Sequence, residues 1–152
     1  MLVEGKITLE APIQKVWDIA LQADTLAASI PGAEEVKAVD DKTYDAVVKQ
    51  KVGPIAVKLK FTTTIVEMDP PNYVKLIGRG ADVSKAGTFS QETTVHLKEI
   101  SKNEVEVSYQ SNVTLVGRLA TFGERIMRAK MKSVLDEFTN NFQNKLKEKL
   151  GK

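Results

Sequence analysis

The chain has no cysteine, and one histidine, His96, in 152 residues. Disulfides, thiolate nucleophiles and cysteine-ligated zinc or iron–sulfur centres are excluded, as is any site that needs two imidazoles. No uncharged apolar run approaches the ~18 residues that mark a membrane-crossing helix. The N-terminus, Met1-Leu-Val-Glu-Gly-Lys6, lacks the basic-then-apolar pattern of a secretory signal. A cytoplasmic location is the resulting expectation. Proline is sparse, and none of the five lies beyond Pro71. The final third of the chain is therefore free of helix breakers of that kind.

What is present is the material of one globular domain spanning 1–152, with 42% apolar and 28% charged residues. Val3, Gly5, Ile7 and Leu9 alternate with polar residues, the period-2 pattern of a half-buried strand. Ala11-Pro12 ends it, and Ile13, Val16, Trp17 and Ala20 follow at helical spacing, predicting a short helix over 12–21 that begins at Pro12. A second short helix is predicted over Asp24–Ser29, capped by Asp24 and closed by Ile30-Pro31-Gly32. Six strands are then expected at 34–40, 43–52, 55–67, 73–82, 87–99 and 104–116, separated by turn signals such as Gly53-Pro54 and Ser101-Lys102-Asn103. So simple an order predicts an antiparallel meander.

The remainder, Gly117 to Leu150, reads as one uninterrupted amphipathic helix of roughly 50 Å, long enough to need a curved sheet beneath it. Val134, Phe138, Phe142, Leu146 and Leu150 recur every fourth residue, so the apolar stripe winds slowly about the axis. The rear of the helix, from Val134, is expected only to pack; the front, Leu119 to Met127, to border a cavity mouth. Segment 117–152 holds nine Lys/Arg against four Asp/Glu, a balance of +5 that leaves −3 for the rest. At 100° per residue Arg118, Arg125 and Lys132 share one stripe. With Arg128 they make either a solvated face or a surface for an anionic membrane or acidic partner.

The inward strand faces are not uniformly large and apolar. After Ile55, Val57, Leu59 and Phe61 comes Thr63; Phe89 is followed by Gln91 and Thr93; Gln50 and Ser111 fall in inward phases; Gly78 and Gly80 share the phase of Val74 and Leu76. Space with a few orienting polar groups is what a ligand cavity needs. The alternative is that the threonines bond locally and the glycines mark bulges or curvature. The expected ligand contacts are Trp17, Leu26, Ile30 and Pro31 near the first helices, and Phe61, Thr63, Phe89, Gln91, Tyr109, Ser111 and Val113 on the strands. Leu119, Phe122, Ile126 and Met127 complete the set from the helix start. Trp17 also reads as core packing of the first helix on the sheet. His96 and Arg79 fall in outward phases.

Several short segments resemble the carbon monoxide dehydrogenase CoxG family of the START-like, or SRPBCC, helix-grip superfamily. They are Val-Trp-Asp (16–18), Ile-Pro-Gly-Ala (30–33), Val-Gly-Pro-Ile-Ala-Val-Lys (52–58), Gly-Arg-Gly (78–80), Lys-Ala-Gly-Thr-Phe (85–89), Leu-Ala-Thr-Phe-Gly (119–123) and Arg-Ile-Met (125–127). The resemblance implies an α+β fold: a seven-stranded curved antiparallel sheet around a long C-terminal helix, with two short helices between the first two strands. It also implies an accessory protein of a molybdenum-containing carbon monoxide dehydrogenase or related hydroxylase, without a cofactor of its own. A lipid-like or quinone-like molecule would sit between sheet and helix, with peripheral membrane contact linking the enzyme to membrane electron acceptors.

Three functions follow as expectations: a non-enzymatic carrier, a recruitment or maturation module acting through the basic helix face, and a cyclase- or aromatase-type enzyme. The last needs an acid or base in the cavity, for which the inward phases offer Tyr109 and, after a bulge, Arg79 or Asp82. Nucleic acid is not expected, because the strands lack exposed aromatics interleaved with basic residues.

Overall fold

The computed structural model describes residues 1–85 and 87–151; Ala86, within the Lys85–Phe89 segment, and the terminal Lys152 lie outside the described residues. Strand β1 (Leu2–Leu9) is followed by helices α1 (Ile13–Ala20) and α2 (Ala23–Ser29). Six strands come next: β2 (Ala33–Ala38), β3 (Thr43–Val52), β4 (Ile55–Asp69), β5 (Tyr73–Asp82), β6 (Gly87–Ser101) and β7 (Glu104–Gly117). Helices α3 (Arg118–Thr121) and α4 (Glu124–Lys149) end the chain. All strand pairings are antiparallel, in the order β1-β7-β6-β5-β4-β3-β2. The meander is thus as expected, with β1 returning to pair with the last strand. This is the helix-grip arrangement: one curved sheet with a long helix across its concave face.

Local chemistry sets the turns. Gly53 takes φ +59° in the two-residue connection that closes Val52 against Ile55, a left-handed backbone suited to glycine. Lys42 N–H donates to Asp40 Oδ1 at 2.8 Å and so shapes the β2–β3 turn. Register shifts between Ile65 and Glu67 and between Glu99 and Ser101 put Val66 and Ile100 on the exposed side, and β4 and β6 run two residues past their expected ends.

Two helical expectations are corrected. The uninterrupted helix from Gly117 to Leu150 is two helices, because Gly123 adopts φ +84° and ψ 152°, outside right-handed helical space. The single-turn α3 therefore turns away from α4, whose 26 residues span about 39 Å. Asp24 is not a cap: Gln22 holds the N-cap position of α2 without a side-chain cap bond. Asp24 instead accepts a hydrogen bond from Lys149 Nζ at 2.9 Å, tying α2 to the last turn of α4. The same ends are joined by Lys149 to Gln22 and by Asn141 Nδ2 donating to Ser29 O at 3.1 Å. Among the described residues no helix is long and apolar enough to cross a membrane.

The core falls into two clusters. Leu9, Trp17, Ile19, Tyr44, Ile65, Val105, Phe142 and Leu146 belong to a solid one, where α1, α2 and the rear of α4 meet the sheet. Tyr44 Oη donates to Leu21 O at 2.5 Å, fastening the end of α1 to β3. A smaller cluster of Val52, Val57, Leu119 and Met127 brings α3 and the front of α4 onto the β3–β4 hairpin.

Candidate ligand-binding cavity

Under the middle of α4 the sheet and helix enclose a cavity of about 430 Å³, within the range of small-molecule sites. Its sheet wall carries Leu59, Phe61, Phe89, Gln91, Tyr109, Ser111 and Val113, among others. Met127, Met131, Val134, Leu135 and Phe138 come down from α4. Flexible methionines suit a wall that must adapt to an occupant.

Absent side chains shape this wall as much as those present. A Cβ on Gly78 would lie 2.8 Å from Gln91 Nε2, and one on Gly5 would lie 2.5 Å from the Tyr109 hydroxyl. A Cβ on Gly80 would collide with the Phe61 Cβ and the Lys60 carbonyl. Each glycine faces its neighbour directly across the ladder, Gly78 opposite Gln91, Gly5 opposite Tyr109 and Gly80 opposite Phe61. The long side chains therefore lie over strand positions with none, and the space above them stays open. Phe61 and Phe89 meet edge to face, centroids 5.5 Å apart.

The polar groups divide into two kinds. Thr93 Oγ1 and Ser111 Oγ satisfy each other at 2.8 Å, and Gln50 Nε2 donates to Pro31 O at 2.6 Å, holding the Ile30-Pro31-Gly32 loop on β3. Gln91 and the Tyr109 hydroxyl, by contrast, have no hydrogen-bond partner among the described residues. Burial, reinforced by the charge of Asp136, pushes the Tyr109 phenol above its usual 10.0, so it is a neutral donor at physiological pH. The cavity thus offers one amide and one phenol to an otherwise apolar occupant.

The residues expected at the site are distributed unevenly. Ile30, Phe61, Phe89, Gln91, Tyr109, Ser111, Val113, Leu119 and Met127 line the cavity. Trp17 and Leu26 do not: both pack with the solid cluster, Trp17 at 7% exposure. Thr63 lies beyond the wall, opposite Tyr44 and Gly78. Pro31 faces a surface cleft instead, Phe122 packs behind Leu119, and Ile126 points outward at 53% exposure. The break at Gly123 explains the last two, since it resets the helical phase on which their placement depended.

The division of the helix also shifts. Leu119 and Met127, 2% and 8% exposed, close off the front of the cavity, which extends rearward under Val134, Phe138 and Thr139. The mouth expected at Leu119–Met127 is thus a plugged end. Sequence reasoning missed Lys130, Met131, Leu135 and Thr139 on the helix and Val48 and Val52 on β3. Their signal was the inward phase of β3 and the helical spacing of Met127, Met131 and Val134.

On the opposite face of α4, Arg128 binds Glu124 at 2.5 Å and the Leu2 carbonyl, and Lys132 pairs with Asp136 at 3.7 Å. Arg118 and Arg125 are exposed and form no ion pair among the described residues. Arg79 is exposed, and Asp82, though buried, accepts hydrogen bonds from the Lys58 and Ser84 amides instead of lining the cavity. His96 stacks on Tyr73 in the exposed phase.

A curved antiparallel sheet closed over one long helix, with a lined cavity between them, defines the START-like class. Solved structures of that class superpose over nearly the whole chain. A conserved protein from Geobacillus kaustophilus matches with a TM-score of 0.90 at 19% identity, covering 97% of this chain and 96% of its own. A START superfamily protein from Mycobacterium smegmatis matches with a TM-score of 0.74 at 8% identity, covering 97% of both chains. The ZhuI aromatase/cyclase from Streptomyces sp. R1128 gives 0.70 at 12% identity, covering 99% and 95%. Compared by sequence with curated proteins, the chain finds no match. The model of the carbon monoxide dehydrogenase CoxG family matches residues 5–147, and the chain belongs to that family.

Proposed function

We propose that this protein is a non-enzymatic carrier that holds an apolar, lipid-like or quinone-like molecule between its sheet and α4, as an accessory to a molybdenum-containing carbon monoxide dehydrogenase-type enzyme. The observation that carries the reading is the cavity itself: about 430 Å³, walled by apolar side chains, with the Gln91 amide and Tyr109 phenol left to orient an occupant. Burial supplies the affinity, at about 25 cal/mol per Å² of apolar area before the costs of binding. Family membership supports the accessory role. A cyclase reading gains little, because its leading candidate acid, Tyr109, has its proton held more tightly by burial.

Native mass spectrometry of gently purified protein tests the proposal, followed by titration with menaquinone, ubiquinone and fatty acids. A co-purifying or added ligand retained in one-to-one stoichiometry is expected; a protein that arrives empty and takes up none of them overturns the reading. Partner recruitment is a separate arm, resting on the exposed Arg118 and Arg125 beside Arg128 and Lys132. Replacing these with glutamate should abolish co-sedimentation with the dehydrogenase or with anionic liposomes, and retained binding at moderate salt rejects that surface.

A further inference from the structure

A surface cleft of about 500 Å³ opens beside the cavity, between the Pro31-Gly32 loop, the β3–β4 hairpin and the middle of α4. Four lysines line it, Lys49, Lys51, Lys58 and Lys130, against one acid, Glu137. Glu34 occupies two of them, at 3.2 Å from Lys49 and 3.4 Å from Lys58. Lys51 and Lys130 form no ion pair among the described residues. The cleft and the apolar cavity share Gln50, Val57 and Lys130 as walls. On α4 Lys130 stands between Met127 and Met131, both in the cavity wall.

We propose that cleft and cavity are two halves of one site for an anionic amphiphile, with the apolar chain in the cavity and a carboxylate or phosphate head at Lys130 and Lys51. This rests on the carrier reading and narrows its ligand class from apolar molecules in general to those with a charged head. Lysine suits the junction because its methylene stem covers apolar surface while its ammonium stays in water. An uncharged head would leave the Lys51 and Lys130 charges without partners in the cleft. An anionic head is attracted by both, with Gln50 already fixed on Pro31 O and the Ile30-Pro31-Gly32 loop forming the rim. Entry of the ligand is thereby assigned to the side of α4 facing the β3–β4 hairpin, away from the plug formed by Leu119 and Met127.

The test compares dodecanoate, dodecyl phosphate and dodecanol, three probes with the same chain, by displacement of a fluorescent fatty acid from the full chain. At low salt the anions should bind about tenfold tighter than the alcohol, as expected for charge-assisted contacts to two partly exposed lysines. That ratio should shrink as salt is raised and should fall severalfold in Lys51→Gln and Lys130→Gln. Reading a ratio separates loss of the head site from general loss of folding, which weakens all three probes together. The order of the two anions distinguishes a carboxylate from a phosphate head. Equal binding of all three overturns the head site and leaves the carrier reading intact, and an undiminished ratio in both variants overturns the lysine assignment. Failure of all three probes, and of quinones, overturns the carrier reading itself.

Discussion

One sheet serves two ends of this molecule, and they are built differently. Strand β7 shows the contrast within a single inward phase. Val105 and Val107 sit in the solid cluster, whereas Tyr109, Ser111 and Val113 face the cavity. Tyr109 is larger than either valine of the solid end, so small side chains alone do not make the hollow; what differs is the cover. At the solid end α1, α2 and the rear of α4 all press on the sheet, cross-fastened by Tyr44 to Leu21 O, Asn141 to Ser29 O and Lys149 to Asp24. Over the hollow part only α4 spans the sheet, and the glycines of β1 and β5 let Tyr109 and Gln91 lie flat beneath it. Stability and capacity are therefore assigned to different regions, and substitutions should separate them.

The largest effect is expected at the solid end. Trp17→Ala should cost about 3–5 kcal/mol by urea denaturation, since the indole is buried among Leu9, Tyr44 and Phe142. A result near zero would place Trp17 outside the structural core. The sharpest comparison uses one substitution at two places on β7. Val105→Phe, at a fully buried position, should lose about 1–3 kcal/mol to overpacking. Val113→Phe should stay within about 1 kcal/mol, because its ring enters existing space, while uptake of any cavity ligand falls at least tenfold. Equal destabilisation at the two sites would mean that the cavity is not open in solution. A smaller change is expected from Gly78→Ala, whose new methyl must lift Gln91 off β5. Ligand uptake should weaken with stability changed by less than about 1 kcal/mol, and unaltered uptake would show that the Gln91 position is immaterial.

The smallest effect concerns the α2–α4 clasp. The hydrogen bond from Lys149 holds the Asp24 carboxyl below its usual 3.8. A depressed folded value gives stability that is complete above 3.8 and is lost as pH falls through the lower folded value. Asp24→Asn should therefore flatten the acid limb of the stability profile slightly and leave its shape above pH ~5 unchanged. An identical acid limb would show that the clasp contributes nothing.

Most of the fold was legible because strand alternation and turn chemistry agreed at each step: Gly53-Pro54, Asp40 through Lys42, and the phases of β4 and β7. The helical third was less so. Apolar spacing cannot reveal that Gly123 leaves helical space, and every angular placement across that residue inherited the error, which misplaced Phe122 and Ile126. Asp24 looked like a cap because the sequence does not reveal that Lys149, 125 residues away, binds it instead. The cavity itself could be read from Gln91, Ser111 and the glycine phases. Its rearward extent could not, since that depends on how far α1 and α2 reach across the sheet. The shared wall at Lys130 is likewise a product of assembly.

The chain carries a single tryptophan, and the fold places it in the region that does not change occupancy. Its emission should therefore act as a clean thermometer of unfolding, whatever molecule the protein holds. The tyrosine phenol beside the cavity is a second, spectrally separate reporter. The protein comes with one built-in gauge for integrity and another for cargo, and the two can be read in the same cuvette.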